Sequence, residues 1–205
     1  MTSIAFSDAA RAIVATGRWL DSKGFAPATA GNYSCRLDDA SFAVTVSGKH
    51  KGRLTPDDVM RVDARGTSLD GKRPSAETAL HVAVYAMFPA VGAVLHSHSP
   101  HAVALTRAFP DRQEWRFAGH EMLKVLPGIT THDTSTSIPI VDNSQDMADI
   151  WNAVAPVLGH LPAFLIRGHG LYGWGQDMAE AERVIEAVEW LIAAELVEMQ
   201  FRSHR

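Results

Sequence analysis

Between Val91 and Pro100 the chain reads VGAVLHSHSP. A short apolar run closes on two histidines at alternate positions and then on Ser-Pro. Serine at the cap and proline at the first helical position start a helix. A strand that runs straight into a helix constrains the fold more than any other stretch here. Period two puts His96 and His98 on one face of that strand, where both rings can reach one ion. Neutral imidazole suits zinc and other divalent transition metals. The same pattern also describes a polar strand end beside a helix start. His101 falls in the first turn of the following helix, out of step with the pair.

The rest of the chain interleaves in the same way. Ser7 is the expected cap of a first helix, with Ala10, Ile13, Val14 and Leu20 on one face and Gly24 as its stop. SFAVTVSG reads as a strand ending in a glycine turn, and Val59 to Val62 as a second, closed by Arg65-Gly66. Ser75 is the expected cap of a helix through SAETALHVAVYAMF, which Pro89 ends. Short strands are expected at Arg116 to Ala118 and Ser137 to Val141, then a helix from Ser144 to Val157. AFLIRGHGLYGWG reads as strand, turn, strand. The last helix is capped by Asp177, with Glu180 at the capping-box position and an apolar stripe from Ala181 to Met199. Interleaved elements of this kind let helices cover both faces of a sheet. No linker or repeat divides the chain, so one domain over 1–205 is expected. The glycine-rich stretches fit neither a dinucleotide fingerprint nor a P-loop.

A net charge of −4 over 205 residues gives no reason to expect nucleic acid or a membrane as partner. Cys35 is the single cysteine, which excludes an internal disulfide and suits a reducing compartment. The first twenty residues lack a basic segment ahead of an apolar core, so no secretory signal is read there and the cytoplasm is the expected location.

A third ligand for an ion beside His96 and His98 must come from elsewhere. His169 in RGHGLYGWG is the best candidate, since glycines on both sides let the backbone come close. Three histidines with an open fourth position describe a catalytic site rather than a closed structural one. Two acids stand near these segments. Glu77 follows the cap Ser75, where the helix dipole favours a carboxylate in any case. Glu121 in GHEMLKVLPG has no such local explanation. SGKHKG, from Ser47 to Gly52, offers backbone amides for an anion nest, with charge from Lys49 and Lys51. GNYS, with Gly31 and Asn32, offers another polar turn, and Ser75 adds a hydroxyl at a helix N-terminus. Together these turns point to a phosphorylated small molecule beside a metal.

The ordered set GNYS, TVSGK, PSAE, HSHS and GHG resembles the class II aldolase/adducin family, over about Ala9 to Met199. The resemblance implies a three-layer α/β/α fold with a central, mainly antiparallel sheet. It implies a homotetramer with active sites near subunit interfaces. It implies one Zn2+ per subunit on His96, His98 and His169, with phosphate contacts at Gly31, Asn32, Ser47, Gly48 and Ser75. All three histidine positions are kept, unlike what is expected of the non-enzymatic adducin heads. The segments HEMLKVLPGITTHDTS, IPIVDNSQDM and IRGHGLYGWG are similar to those of members that dehydrate a methylthio-substituted ketose 1-phosphate in methionine salvage. That likeness implies Glu121 as acid/base, assisted by Glu77. The alternative is retro-aldol cleavage of a ketose 1-phosphate with Glu77 as acid/base. Ala76, at a position where aldolases often carry serine, weighs slightly against it. An apolar pocket for the methylthio group is also implied, with Trp115 and Phe117 as candidates to line it.

Overall fold

The computed structural model describes residues 4–203, so the outermost residues of the expected 1–205 domain lie outside it. Its centre is one eight-stranded sheet in the order β3-β2-β1-β4-β8-β7-β6-β5. The strands are β1 (Asn32–Arg36), β2 (Phe42–Thr45), β3 (Val59–Val62), β4 (Ala93–Ser97), β5 (Glu114–Ala118), β6 (Ser135–Val141), β7 (Ala163–Ile166) and β8 (Gly170–Gly175). Every neighbouring pair is antiparallel except β6 and β7. This matches the three-layer, mainly antiparallel expectation.

Alternation along the strands builds two cores. On β7, Ala163 and Leu165 face one side while Phe164 and Ile166 face the other. Helices α1 (Phe6–Ser22), α3 (Pro100–Ala108) and α5 (Met178–Ser203) pack on the first face through residues such as Ile13, Leu105, Val184 and Val188. Helices α2 (Thr78–Met87) and α4 (Met147–Val154) pack on the second through Leu80, Val84, Ile150 and Val154. Burial of such apolar side chains, about 1.5–3 kcal/mol each, is the main force holding the layers together.

The helix starts correct three expectations. Helix α1 begins at Phe6 after Ala5, with no side-chain cap, so Ser7 lies inside it. Helix α4 is capped by Asp146, whose carboxylate accepts from Ala148 N–H, while Ser144 accepts from the N–H of Asp146 itself. Serine and aspartate two residues apart compete for one task, and the charged acceptor sits nearer the helix. Helix α2 starts at Thr78, later than read, and Ser75 accepts from Glu77 N–H in the turn before it. Ser99, Pro100 and Asp177 act as expected: Ser99 Oγ accepts from Ala102 N–H at 3.0 Å, and Asp177 from Glu180 N–H at 2.8 Å.

Candidate metal centre

The sheet brings three strand ends together. Asn32 opens β1 and pairs with His96 on β4, and His96 pairs on its other side with Tyr172 of β8. His96 and His98 therefore emerge at the edge where β1 starts, β4 stops and β8 starts. His169 sits in the turn before β8, and Glu77 immediately before helix α2. The register places His96 with Val94, facing the α2 layer.

Two glycines seat His169. Gly168 has φ +67°, a conformation glycine adopts freely. Gly170 lies so close to β4 that a Cβ would collide with the Ser97 carbonyl and come within 3.1 Å of His96 Cε1. Thr106 Oγ1 of α3 accepts from Gly168 N–H at 2.9 Å, and Arg167 ties the turn to Asp142 at 2.7 Å. We expect Gly170→Ala to destabilise the fold by roughly 1–3 kcal/mol through overpacking. Denaturant unfolding checks this, and an unchanged midpoint would contradict so tight an approach.

The ligand-capable atoms of Glu77, His96, His98 and His169 all lie within 4.8 Å of one another. His169 Nε2 is 2.9 Å from Glu77 Oε1 and 3.4 Å from His96 Nε2, and His96 Nε2 is 3.6 Å from the same carboxylate oxygen. His96 Nδ1 lies 3.0 Å from the Leu171 carbonyl, an oxygen that only accepts, so Nδ1 carries a proton and Nε2 is the nitrogen turned to the cluster. His169 Nδ1 faces Asn143 Oδ1 at 3.2 Å and is fixed in the same way. His98 Nε2 is buried with no hydrogen-bond partner. An orphaned imidazole nitrogen beside two others and a carboxylate suits a divalent cation, in number and in chemistry.

The electrostatics agree. Burial alone would raise the Glu77 carboxyl, but the hydrogen bonds and charges of His169 and His96 outweigh it and hold the group ionised, well below the usual carboxylate range. Burial, with repulsion from His96 and His169, pulls His98 down to about 3 and keeps it neutral. Neutral imidazole and ionised carboxylate are the forms that bind a metal.

The sequence anticipated the three histidines but not the groups that hold them. Ser97 and Ser99, on either side of His98, both donate to the buried carboxyl of Glu189 on α5, Ser97 at 2.7 Å. Burial pushes that carboxyl up, and the two hydroxyls partly offset it. Glu189 was hidden inside an apolar helical stripe. Asn32 was read as a phosphate contact; in the structure its amide donates to Glu77 Oε2 and accepts from His81. Lys49 is exposed and paired with Asp58 at 2.9 Å. Its neighbour Lys51 is buried, donating to the carbonyls of Thr29 at 2.8 Å and Lys49 at 2.7 Å. Burial pulls Lys51 down to about 8, opposed by the Glu77 charge.

Of the remaining candidates, the turn at Ser47 and Gly48 lies against the segment before α2. Ser47 N–H donates to Arg73 at 3.1 Å, and Val46 bridges Pro74. Ser47 thus lies against Arg73, on the segment that leads to Ser75, and Ser75 is two residues from Glu77. Gly31, at φ +81°, turns the chain into β1 beneath the His96 carbonyl. Glu121 is not among the groups gathered at the histidines. It lies on a 3₁₀ turn, Glu121–Val125, exposed and paired with Lys124 at 2.6 Å and His132 at 3.4 Å. Trp115 and Phe117 are buried in the core beneath β5, with Trp115 packed on Phe109. They do not line a site open to a substrate. No helix of the described residues is long and apolar enough to cross a membrane.

Residues 11–196 match the Class II Aldolase and Adducin N-terminal domain. The chain is 49% identical to the methylthioribulose-1-phosphate dehydratase of a Pseudomonas aeruginosa strain, over 90% of this chain and 91% of that one. It is 47% identical to the protein of the same name from Gluconobacter oxydans, over 97% and 96%. Among solved structures it is similar to the l-fuculose-1-phosphate aldolase of Thermus thermophilus. There the TM-score is 0.77 at 27% identity, covering 94% of this chain and 95% of that one.

Proposed function

Since the chain belongs to the class II aldolase and adducin family, we propose that it is the hydro-lyase that dehydrates 5-methylthioribulose 1-phosphate to 5-methylthio-2,3-dioxopentyl phosphate and water. The observation that carries this reading is the identity to methylthioribulose-1-phosphate dehydratases along nine-tenths of the chain. The cation we propose is zinc, one per subunit, held by His96, His98 and His169 with Glu77 beside them. When bound, such an ion supplies Lewis-acid polarisation of the substrate's carbonyl oxygen.

The protein's own groups do the rest. Ser47, Gly48 and Ser75 present amides and hydroxyls to the phosphate, and Gly31 gives the backbone its close approach. Lys49 and the buried Lys51 add positive charge beside that turn. The phosphate anchors the substrate so that C2 and C3 reach the histidines. The C3 proton must then leave to a base, and the C4 hydroxyl must leave as water with a proton from an acid. The resulting enol ketonises to the 2,3-diketone, so the atoms balance with one water lost. One carboxyl can serve both proton transfers if it changes protonation state between them. Glu77 is a poor choice, because its neighbours hold it ionised and one of its oxygens is already turned to the histidines. We assign the proton transfers to Glu121, acting in the site of a neighbouring subunit of a homotetramer. Its exposure on the single chain supports that arrangement.

Retro-aldol cleavage is the second reading. Glu77 against the histidines favours it, as does the likeness to the Thermus aldolase. Mass spectrometry of products from zinc-loaded protein and 5-methylthioribulose 1-phosphate separates the two. A product lighter by one water, carbon chain whole, is expected. Dihydroxyacetone phosphate plus an aldehyde would establish the aldolase instead.

A further inference from the structure

Behind Glu77 the interior holds a line of polar side chains that the reaction does not use. Asn32 Nδ2 meets Glu77 Oε2, and Asn32 Oδ1 meets His81 Nε2. His81 Nδ1 is 2.7 Å from Ser34 Oγ, which is 2.9 Å from the Tyr85 hydroxyl. Asn32, Ser34, His81 and Tyr85 are all at most 5% exposed. Polar groups buried this deeply must satisfy one another.

Donor and acceptor rules allow one direction only. A carboxylate accepts and cannot donate, so the Asn32 NH2 faces Glu77. Its oxygen therefore faces His81, and His81 Nε2 must carry the proton. His81 Nδ1 is then a lone pair and takes the Ser34 hydroxyl proton. Ser34 has spent its only proton, so it accepts from Tyr85. Tyr85 is itself pinned, stacked on Phe42 with ring centroids 4.4 Å apart and covered by the Arg36 guanidinium at 4.9 Å. Every link runs toward Glu77. The last one occupies Oε2 and leaves Oε1 turned to His169 and His96, at 2.9 and 3.6 Å.

We propose that His81 is a positioning residue: through Asn32 it fixes the Glu77 carboxylate in the orientation that presents Oε1 to the cation site. This rests on reading Glu77 as part of that site, but not on which substrate the site takes. If Asn32 lost its donor at His81, its amide could rotate and set oxygen against oxygen at Glu77.

The test uses Co2+ as a spectroscopic probe of the full chain, with affinity from chelator competition. His81→Leu should weaken Co2+ binding by roughly 10–100-fold, the usual effect of removing an orienting partner behind a ligand. It should also alter the visible ligand-field absorption. His81→Gln, which can both donate and accept, should recover most of both. In a Glu77→Gln background, His81→Leu should cost little more. Unchanged affinity and absorption in His81→Leu would overturn the proposal, and so would an equal loss in the Glu77→Gln background. If His81→Leu does not fold, Ser34→Ala breaks the same line one step further back and is read by the same signals. A normal Co2+ response in His81→Leu with dehydration intact would fail this inference alone. The expected Co2+ effects in a protein that does not dehydrate the substrate would fail only the substrate reading.

Discussion

Glu121→Gln is expected to keep its divalent cation and to lose kcat by roughly 10²–10⁴-fold, the usual worth of a positioned acid/base. The cation should stay because Glu121 takes no part in the cluster of Glu77 and the three histidines. Within one chain nothing about Glu121 looks catalytic. It is exposed, and its hydrogen bond to Lys124 holds it below the ordinary carboxylate range. A proton carrier needs a drier setting, which a neighbouring subunit would supply by covering it. Mixing therefore offers a sharper check. Glu121→Gln chains co-assembled with chains lacking a histidine ligand should regain activity, since each mixed interface can pair an intact acid with an intact metal site. Near-normal turnover in Glu121→Gln alone would move the proton transfers to Glu77.

His98→Leu should separate metal binding from folding. His98 Nε2 is buried with no hydrogen-bond partner from the protein, and such an unpaired nitrogen costs on the order of 1–3 kcal/mol. An apolar side chain of similar size removes that cost, so the metal-free variant should unfold at the same denaturant concentration or higher. The stabilisation expected of added Zn2+ on the wild type follows its concentration over its dissociation constant. The variant should lose most of it, and turnover with it. Loss of several kcal/mol of Lewis-acid help corresponds to about 10³-fold or more in rate. Denaturant unfolding with and without Zn2+ checks this. A variant that unfolds far earlier without metal would show His98 to be a structural residue instead.

How much of this could be read from the chain varies with distance. The HxH pair, the Ser-Pro helix start and the GHG turn are local patterns, and all three behave as local chemistry requires. Most of the strand and helix order follows from period and punctuation for the same reason, but β1, Asn32–Arg36, falls where GNYS was read as a polar turn. The edges were less legible. Ser144 and Asp146 can both cap, and only the backbone path selects Asp146. The polar interior was not legible at all. His81 and Glu189 sit on otherwise apolar helix faces, where periodicity reads them as interruptions. Their partners lie 49 and 92 residues away, at Asn32 and Ser97. Lys51 was seen as half of a basic turn, and nothing local marks it rather than Lys49 as the buried one. Glu121 is the reverse case, since its proposed role came from resemblance and its surroundings in one chain do not reveal it.

The pairing order β1-β4-β8 has a consequence for the life of the protein before it works. His96 stands between a strand that begins at Asn32 and one that begins at Gly170. During synthesis the first two thirds of the chain can emerge and collapse without His169, and without the strand that covers the edge of β4. Contacts of such long sequence separation form late and slowly. A nascent chain therefore offers transition metals at most a loose histidine pair and a carboxylate. The full set of Glu77, His96, His98 and His169 comes together only once the final third of the polypeptide, which carries His169, has been made and folded.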